Sequence, residues 1–434
     1  MTDNQGRARR RLTATVTDLE IRRQRALLVS LAHGPRSVAE AERGLDELER
    51  LTDTAGSDTV GRSVQQRPRP DPATSIGKGK AEQLAAEGRQ LDIDLVVVDG
   101  ELTPVQQRNL QKTFGCDVVD RIALILDIFA LHAHSREGMA QVELALLRYR
   151  LPRLRGRGTE LSRLGGGIGT RGPGETQLES DRRRVLGRIA TLERQIAHMS
   201  TSRQTRRKAR RRSGLATVAL VGYTNAGKSS LLNRLTGAEV LVEDQLFSTL
   251  DATTRRLELP SGRVILLSDT VGFVRNLPHQ LVEAFRSTLE EAVETDLLLH
   301  VVDAAAPAAE HQIAAVRETL AVIGAAELPE VTVLNKADIA SPTNLGRLAA
   351  LHPEAVTVSA VTGRGLASLG AVLDDRLAPD LVDLQLMVPY GRGDIVAAAH
   401  EDGEILSEEH GEDGVHLKVR LPAEAVHRYV PFRL

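Results

Sequence analysis

The chain has 434 residues, and its 58 acidic and 56 basic side chains leave a formal charge of −2; that length allows two to four domains, each able to bury its own core. A single cysteine, Cys116, excludes a disulfide framework and fits a reducing compartment, where an ordinary buried thiol is the expectation. No apolar run approaches membrane-spanning length and the opening "MTDNQGRARRR" lacks the apolar stretch of a secretory signal, so a cytoplasmic protein without membrane insertion is expected.

Residues 1–24 read as a tail. From about residue 25, β-rich runs ("RALLVSL", "DTVGRSVQQ", "DLVVVDG", "CDVV") alternate with helical stretches such as "SVAEAERGLDELERL". This is the βαβ rhythm of a small parallel sheet, and it predicts an α/β subdomain over 25–136. Within it "GKGK" at 77–80 reads as a helix start or as a phosphate contact. His132 and His134 lack further ligands at metal-binding spacing and read as surface or packing residues.

Two helical stripes follow. Met139, Val142, Leu146 and Tyr149 precede Pro152, and Leu178, Val185, Ile189, Leu192, Ile196 and Met199 form the second. They predict an antiparallel hairpin over 137–213, with the glycine-dense "LGGGIGTRGPGETQLE" of 164–179 at its tip. The basic tract "RQTRRKARRR" reads as a linker, either solvated or in contact with nucleic acid.

Chemistry begins at "VALVGYTNAGKSSLLNRL", inside a domain expected over 214–378. Gly222, Gly227, Lys228 and Ser229 satisfy G-x-x-x-x-G-K-[ST] directly after an apolar strand and before a helical pattern, with Asn225, Ala226 and Ser230 in the same turn. Such a loop closes backbone N–H groups around phosphate oxygens, Lys228 reaches the outer phosphates, and Ser229 gives an oxygen to Mg²⁺. "LLSDTVGF" then offers Asp269 to the Mg²⁺ shell, followed by Thr270, Val271 and Gly272, whose bare backbone suits approach to a γ-phosphate. "VTVLNKAD" brings Asn335, Lys336, Ala337 and Asp338; a carboxylate there accepts from the N1–H and exocyclic amine of guanine, which adenine does not offer. "VTVSAVTG" adds Ser359 and Ala360. Four such turns in sequence order, each at the C-terminal end of a strand, predict a P-loop GTPase on a parallel sheet that binds GTP and GDP. Between the first two lies "FSTLDATTRRLELP", where Phe247, Ser248 and Thr249 are expected at the nucleotide. Thr249 is preferred as the switch threonine on Mg²⁺ because Thr253 and Thr254 read as the start of a strand. Lys228, Thr249 and Gly272 are the expected catalytic set. Phe273 stands where many switch GTPases carry a water-orienting glutamine, which implies slow intrinsic turnover. Residues 379–434 read as a small α+β unit.

Set beside these motifs, "DPATSIGKGKAEQL", "ELTPVQQRNL", "DRIALILDIFALHAHSREGMAQVELALLRYRLPRL" and "LSRLGGGIGTRGPGETQLESDRR" resemble the signature blocks of the HflX family of translation-factor-like GTPases, over roughly residues 25 to 375. The resemblance implies a factor that binds the large ribosomal subunit and splits or rescues stalled or idle ribosomes, GTP hydrolysis acting as its switch. It also implies that the glycine loop reaches ribosomal RNA. Arg148, Arg150, Arg153, Arg155, Arg157, Arg163 and Arg171, against the single acid Glu160, would neutralise phosphates there. Asn225 stands where relatives use asparagine to hold a potassium ion, or else it simply braces the loop. The free chain is expected to be monomeric. The competing readings are an ATP-dependent RNA helicase or remodelling factor, against which the N-terminal region has no second P-loop, and a non-ribosomal GTP-binding scaffold.

Overall fold

The computed structural model describes residues 23–154, 173–212, 215–237, 246–247, 253–275, 292–378, 381–422 and 425–434. Residues 164–172 of the glycine-dense segment, with Arg155, Arg157, Glu160, Arg163 and Arg171, and the expected switch residues Ser248 and Thr249, lie outside them.

The N-terminal subdomain is a parallel sheet in the order β2-β1-β3-β4, built from β1 (Gln24–Ala32), β2 (Ser57–Gln66), β3 (Leu95–Asp99) and β4 (Asp117–Asp120). Strand β1 shows why it is covered on both faces. Ala26 and Leu28 point into one core with Leu45, Leu48 and Leu51 of α1 (Val38–Thr54), while Leu27, Val29 and Leu31 meet Leu84 of α2 (Lys78–Gln90) and Leu110 of α3 (Pro104–Phe114). Capping boxes at Ser37 and Thr103 start α1 and α3. Helix α4 (Arg121–His132) buries Ile122, Leu124, Ile125, Leu126, Ile128 and Phe129, so it is a core helix. His132 gives its Nδ1 to the Ile128 carbonyl at 2.9 Å, and burial pushes the Cys116 thiol up to about 11, as suits an inert side chain.

Helix α5 (Arg136–Arg150) corrects one expectation. Val142, Leu146 and Tyr149 face the subdomain core and Met139 is exposed, whereas Ala140, Leu144 and Leu147 form the seam with Val185, Ile189, Leu192, Ile196 and Met199 of α6 (Pro173–Arg212). The helix is apolar on two faces, and sequence spacing alone picks out only one. Arg188 and Arg148 flank that seam, donating to Glu143 at 2.6 Å and Glu193 at 2.7 Å. The expected basic linker is also corrected: "RQTRRKARRR" is the end of the 40-residue α6. Arginine, lysine, glutamine and alanine are straight-chain or small helix formers, and no proline interrupts them.

The next sheet has the order β10-β9-β8-β5-β7-β6: β5 (Thr217–Gly222), β6 (Thr253–Glu258), β7 (Val264–Asp269), β8 (Leu297–Asp303), β9 (Glu330–Asn335) and β10 (Val356–Thr357). Its helices are α7 (Lys228–Thr236), α8 (Ala309–Ile323) and α9 (Pro342–Leu351). The β5–β7, β5–β8, β8–β9 and β9–β10 pairings are parallel, so the loops carrying the motifs emerge along one edge.

A second compact unit gathers residues 258–264 and 367–434, and so takes most of α10 (Leu366–Arg376), ahead of the boundary expected at 378. The cause is local. Asp374 accepts from the Ser261 N–H at 2.9 Å and Arg263 donates to the Leu377 carbonyl at 2.7 Å. The rest of that unit is an antiparallel sheet, β11 (Leu381–Val388), β13 (Val415–Pro422) and β12 (Glu404–His410) in that spatial order. Helices α11 (Gly393–Asp402) and α12 (Val426–Tyr429) complete it, with Tyr429 fully buried.

Across β8 and β9, buried His300 lies 3.1 Å from Glu330 and Arg317 donates to the same carboxylate at 2.8 Å. Burial would raise that carboxyl, but these two partners outweigh it and hold Glu330 at about 2, below its ordinary 4.5. The unfolded chain therefore takes up a proton that the folded chain refuses: the contribution to stability is complete above 4.5 and is lost as pH falls through about 2. Glu330→Gln is expected to lose about 1–3 kcal/mol in urea melts at pH 7. It should also show a shallower acid loss; equal stability loss in both proteins between neutral and acid pH would contradict this.

Candidate functional site

The loop from Gly222 to Ser229 connects β5 to α7, and its backbone explains its sequence. Gly222 has φ +152° and Gly227 +90°; a Cβ at the first would strike the Val301 carbonyl, and at the second the Asn335 side-chain amide. Asn225 sits at φ +58°, a left-handed position that asparagine tolerates. These turns set the loop above the N-terminus of α7, a position suited to anions.

Lys228 is buried, and its Nζ donates to the carbonyls of Tyr223 at 2.9 Å and Gly222 at 3.2 Å. Burial pushes its ammonium down to about 8, against the opposing pull of Asp269. The ammonium still holds its proton at neutral pH, and an incoming phosphate would stabilise that charge further. Ser229 Oγ donates to Asp269 Oδ2 at 2.6 Å, so a hydroxyl and a carboxylate, both buried hard-oxygen donors, converge at one point. That donor set fits Mg²⁺. Ser230 follows in the first turn of α7.

The segment after β7 is zipped to this loop. Phe273 N–H donates to the Gly222 carbonyl at 3.1 Å and Thr224 N–H to the Phe273 carbonyl at 2.7 Å, which extends the β5–β7 ladder into the phosphate loop. Thr270 is anchored by its hydroxyl on the Leu220 carbonyl at 2.6 Å. Gly272 has no room for a side chain: a Cβ would stand 2.7 Å from Thr224 Cγ2 and 3.1 Å from Lys228 Nζ. Phe273 is buried in the core with Ala219, Val221 and Leu298, so its ring does not enter the groove.

At the far end Asn335 ties three segments together, donating to the Ala226 carbonyl at 2.9 Å and accepting from Ala360 N–H at 3.0 Å. Ala337 N–H donates to Val358, Ser359 Oγ accepts from Thr362 N–H at 3.1 Å, and Lys336, at φ +61°, pairs with Asp303 at 2.8 Å. Asp338 lies exposed beside this brace. The structure therefore brings Gly222, Asn225, Ala226, Gly227, Lys228, Ser229, Asp269, Thr270, Gly272, Asn335 and Ala360 along one loop edge.

Phe247 is corrected. Its ring lies away from the groove, 4.6 Å centroid to centroid from Phe129 in an edge-to-face contact, and Leu246, Val271 and Val274 share that N-terminal core. A large apolar ring is more stable in a packed core than beside phosphates. Phe247 adopts φ +62° to reach it, and Leu246 N–H donates to Thr54 Oγ1 at 3.3 Å.

Sequence reading missed the joint between these segments and the N-terminal subdomain. Glu47 accepts from Tyr223 OH at 2.7 Å, from Arg121 at 2.5 Å and from Arg275 N–H at 3.3 Å. Tyr223 OH in turn accepts from Arg275 N–H at 2.7 Å, and Arg121 donates to the Arg275 carbonyl at 3.2 Å and to Asp99 at 3.0 Å. The one hint was an arginine heading the apolar run "RIALILDIF". Beside this joint a cavity of about 1070 Å³ touches the phosphate loop at Thr224 and Asn225 and continues past Arg275 and His311, next to the groove rather than within it.

Four family models match the chain: "GTP-binding GTPase N-terminal" over 42–130, "GTP-binding GTPase Middle Region" over 132–210, "50S ribosome-binding GTPase" over 217–336 and "HflX C-terminal domain" over 345–428. GTPase HflX of Caldanaerobacter subterraneus subsp. tengcongensis is 45% identical over 406 residues, covering 94% of this chain and 93% of that one. GTPase HflX of Escherichia coli is 42% identical over 381 residues, covering 87% and 89%. Among solved structures, a GTP-binding protein from Sulfolobus solfataricus in complex with GDP matches 82% of this chain and 98% of its own at 25% identity, with a TM-score of 0.41.

Asn335→Ala removes both hydrogen bonds of the brace and is expected to weaken GDP binding roughly ten- to hundredfold by calorimetry, at about 1 kcal/mol for each bond. Affinity within twofold of the parent would show that the brace is dispensable.

Proposed function

The chain belongs to the HflX family of GTPases, and on that premise we propose that it is a nucleotide-switched factor of the large ribosomal subunit that splits or rescues stalled or idle ribosomes. It hydrolyses GTP to GDP and phosphate. The observation that carries the switching role is the bridge from Gly222–Thr224 to Phe273, because the same strand of backbone continues into Arg275 and the Glu47 joint. Gain or loss of a γ-phosphate beside Gly272 thereby acts on a contact with the N-terminal subdomain.

In this reading Lys228 and the N–H groups of the loop neutralise the phosphates, and Asp338 selects guanine while Asn335 keeps the groove in register. Ser229 and Asp269, with Thr249, would hold Mg²⁺, which when bound supplies positive charge to the β- and γ-phosphate oxygens. Phe273 leaves intrinsic turnover slow. Asn225, on the loop's outer side, is the residue suited to hold a potassium ion. The glycine-rich segment and its flanking arginines supply the contact with ribosomal RNA: Arg148, Arg150 and Arg153 lie at the end of α5 and just beyond it. The free protein acts as a cytoplasmic monomer.

Sedimentation through sucrose with separated subunits tests the partner: co-pelleting with the large subunit is expected with a non-hydrolysable GTP analogue and much less with GDP, and preference for the small subunit would overturn it. Light scattering of intact ribosomes should fall on adding protein and GTP, whereas a scaffold would leave it flat. Turnover is expected to be slow in sodium buffer and faster in potassium; equal fast rates in both, with or without subunits, would remove the potassium assignment and the slow clock together.

A further inference from the structure

Hydrolysis requires a polar group that holds the attacking water against the γ-phosphorus, and the residue after Gly272 is a buried phenylalanine. Three hydroxyls near the phosphate end already have partners: Ser229 on Asp269 at 2.6 Å, Thr270 on the Leu220 carbonyl at 2.6 Å and Tyr223 on Glu47 at 2.7 Å. Thr224 differs. The residue is 7% exposed, and its Oγ1 is buried with no hydrogen-bond partner among the described residues. Leaving a buried hydroxyl unbonded costs on the order of 1–3 kcal/mol. The fold does not require that cost, since valine has the same shape.

The position of the side chain supplies a reason. Thr224 Cγ2 and Lys228 Nζ lie 2.7 Å and 3.1 Å from the point where a Cβ on Gly272 would stand. Lys228 serves the outer phosphates, so this convergence marks the γ-phosphate end of the loop. Oγ1 shares its β-carbon with Cγ2 and so belongs to the same corner of the loop. Thr224 also lines the neighbouring cavity together with Asn225 and Arg275.

We propose that Thr224 Oγ1 orients the attacking water, in the place of the missing glutamine. The hydroxyl accepts a hydrogen bond from the water and donates its own to a γ-phosphate oxygen. The water oxygen then bonds to the γ-phosphorus as the bond to the β–γ bridging oxygen breaks; that electron pair leaves with GDP, the water's proton passes to the released phosphate, and Thr224 is unchanged.

Thr224→Val keeps the shape and removes only the hydroxyl. Single-turnover hydrolysis in this variant is expected to slow at least about tenfold, with GDP affinity within twofold of the parent and the nucleotide-free protein melting at the same temperature or higher. Thr224→Ser, which restores the hydroxyl, should recover most of the rate. Parent-like turnover in Thr224→Val, or a Thr224→Ser variant as slow as Thr224→Val, would overturn the proposal, the second outcome assigning the effect to the methyl against Gly272. If Thr224→Val fails to hold nucleotide, Thr224→Ala against Thr224→Ser makes the same comparison, and equal rates in those two would overturn it.

Discussion

Glu47 is the constraint on which the relation between the N-terminal subdomain and the GTPase domain depends. Its side chain is 13% exposed and that of Arg121 6%, so both charges are largely out of water. Each is held there by several partners: Glu47 by Arg121, Tyr223 and the Arg275 N–H, and Arg121 also by Asp99 and the Arg275 carbonyl, with only its buried Nε left without a partner among the described residues. Such surrounding bonds offset the desolvation of the pair, and removing one partner typically costs about 3–5 kcal/mol. The joint therefore behaves as a unit that is either formed or broken.

The loop after β5 and the segment after β7 meet at that unit. Tyr223 belongs to the phosphate loop, and Arg275 lies three residues after Gly272. Leu246 and Phe247 are bound in the core of the N-terminal subdomain, next to Phe129. Phe247 is buried there, and its backbone sits at φ +62°. On the role proposed for Thr249 at Mg²⁺, the nucleotide site and the N-terminal core compete for one short stretch of backbone, a natural origin for two discrete states.

Most of the nucleotide groove was legible in the sequence because its motifs are local. Gly222, Gly227 and Lys228 occur within seven residues, and each later motif closes an apolar strand whose period is plain. The four-stranded N-terminal sheet was legible for the same reason. Two misreadings came from ambiguous periodicity. Helix α5 is apolar on two faces, so Val142, Leu146 and Tyr149 were matched to the neighbouring helix although Ala140, Leu144 and Leu147 face it. The basic tract has no apolar period and no breaker, and reads equally as coil or helix. The Glu47 joint was beyond reach, since Glu47 and Arg275 are 228 residues apart and only tertiary packing removes their charges from solvent. Phe247 was drawn to the nucleotide by its neighbours in sequence, while its ring obeyed the stronger preference for a core.

Hydrogen–deuterium exchange of the full chain, compared between GDP and a non-hydrolysable GTP analogue, tests this coupling most directly. Helix α1 carries Glu47, and none of its residues is among those assigned to the phosphates. If the joint transmits nucleotide state, exchange in Val38–Thr54 changes together with exchange in the segment from Asp269 to Arg275. A change confined to the phosphate loop and the segment after β7, with α1 exchanging identically in both nucleotides, would contradict the account.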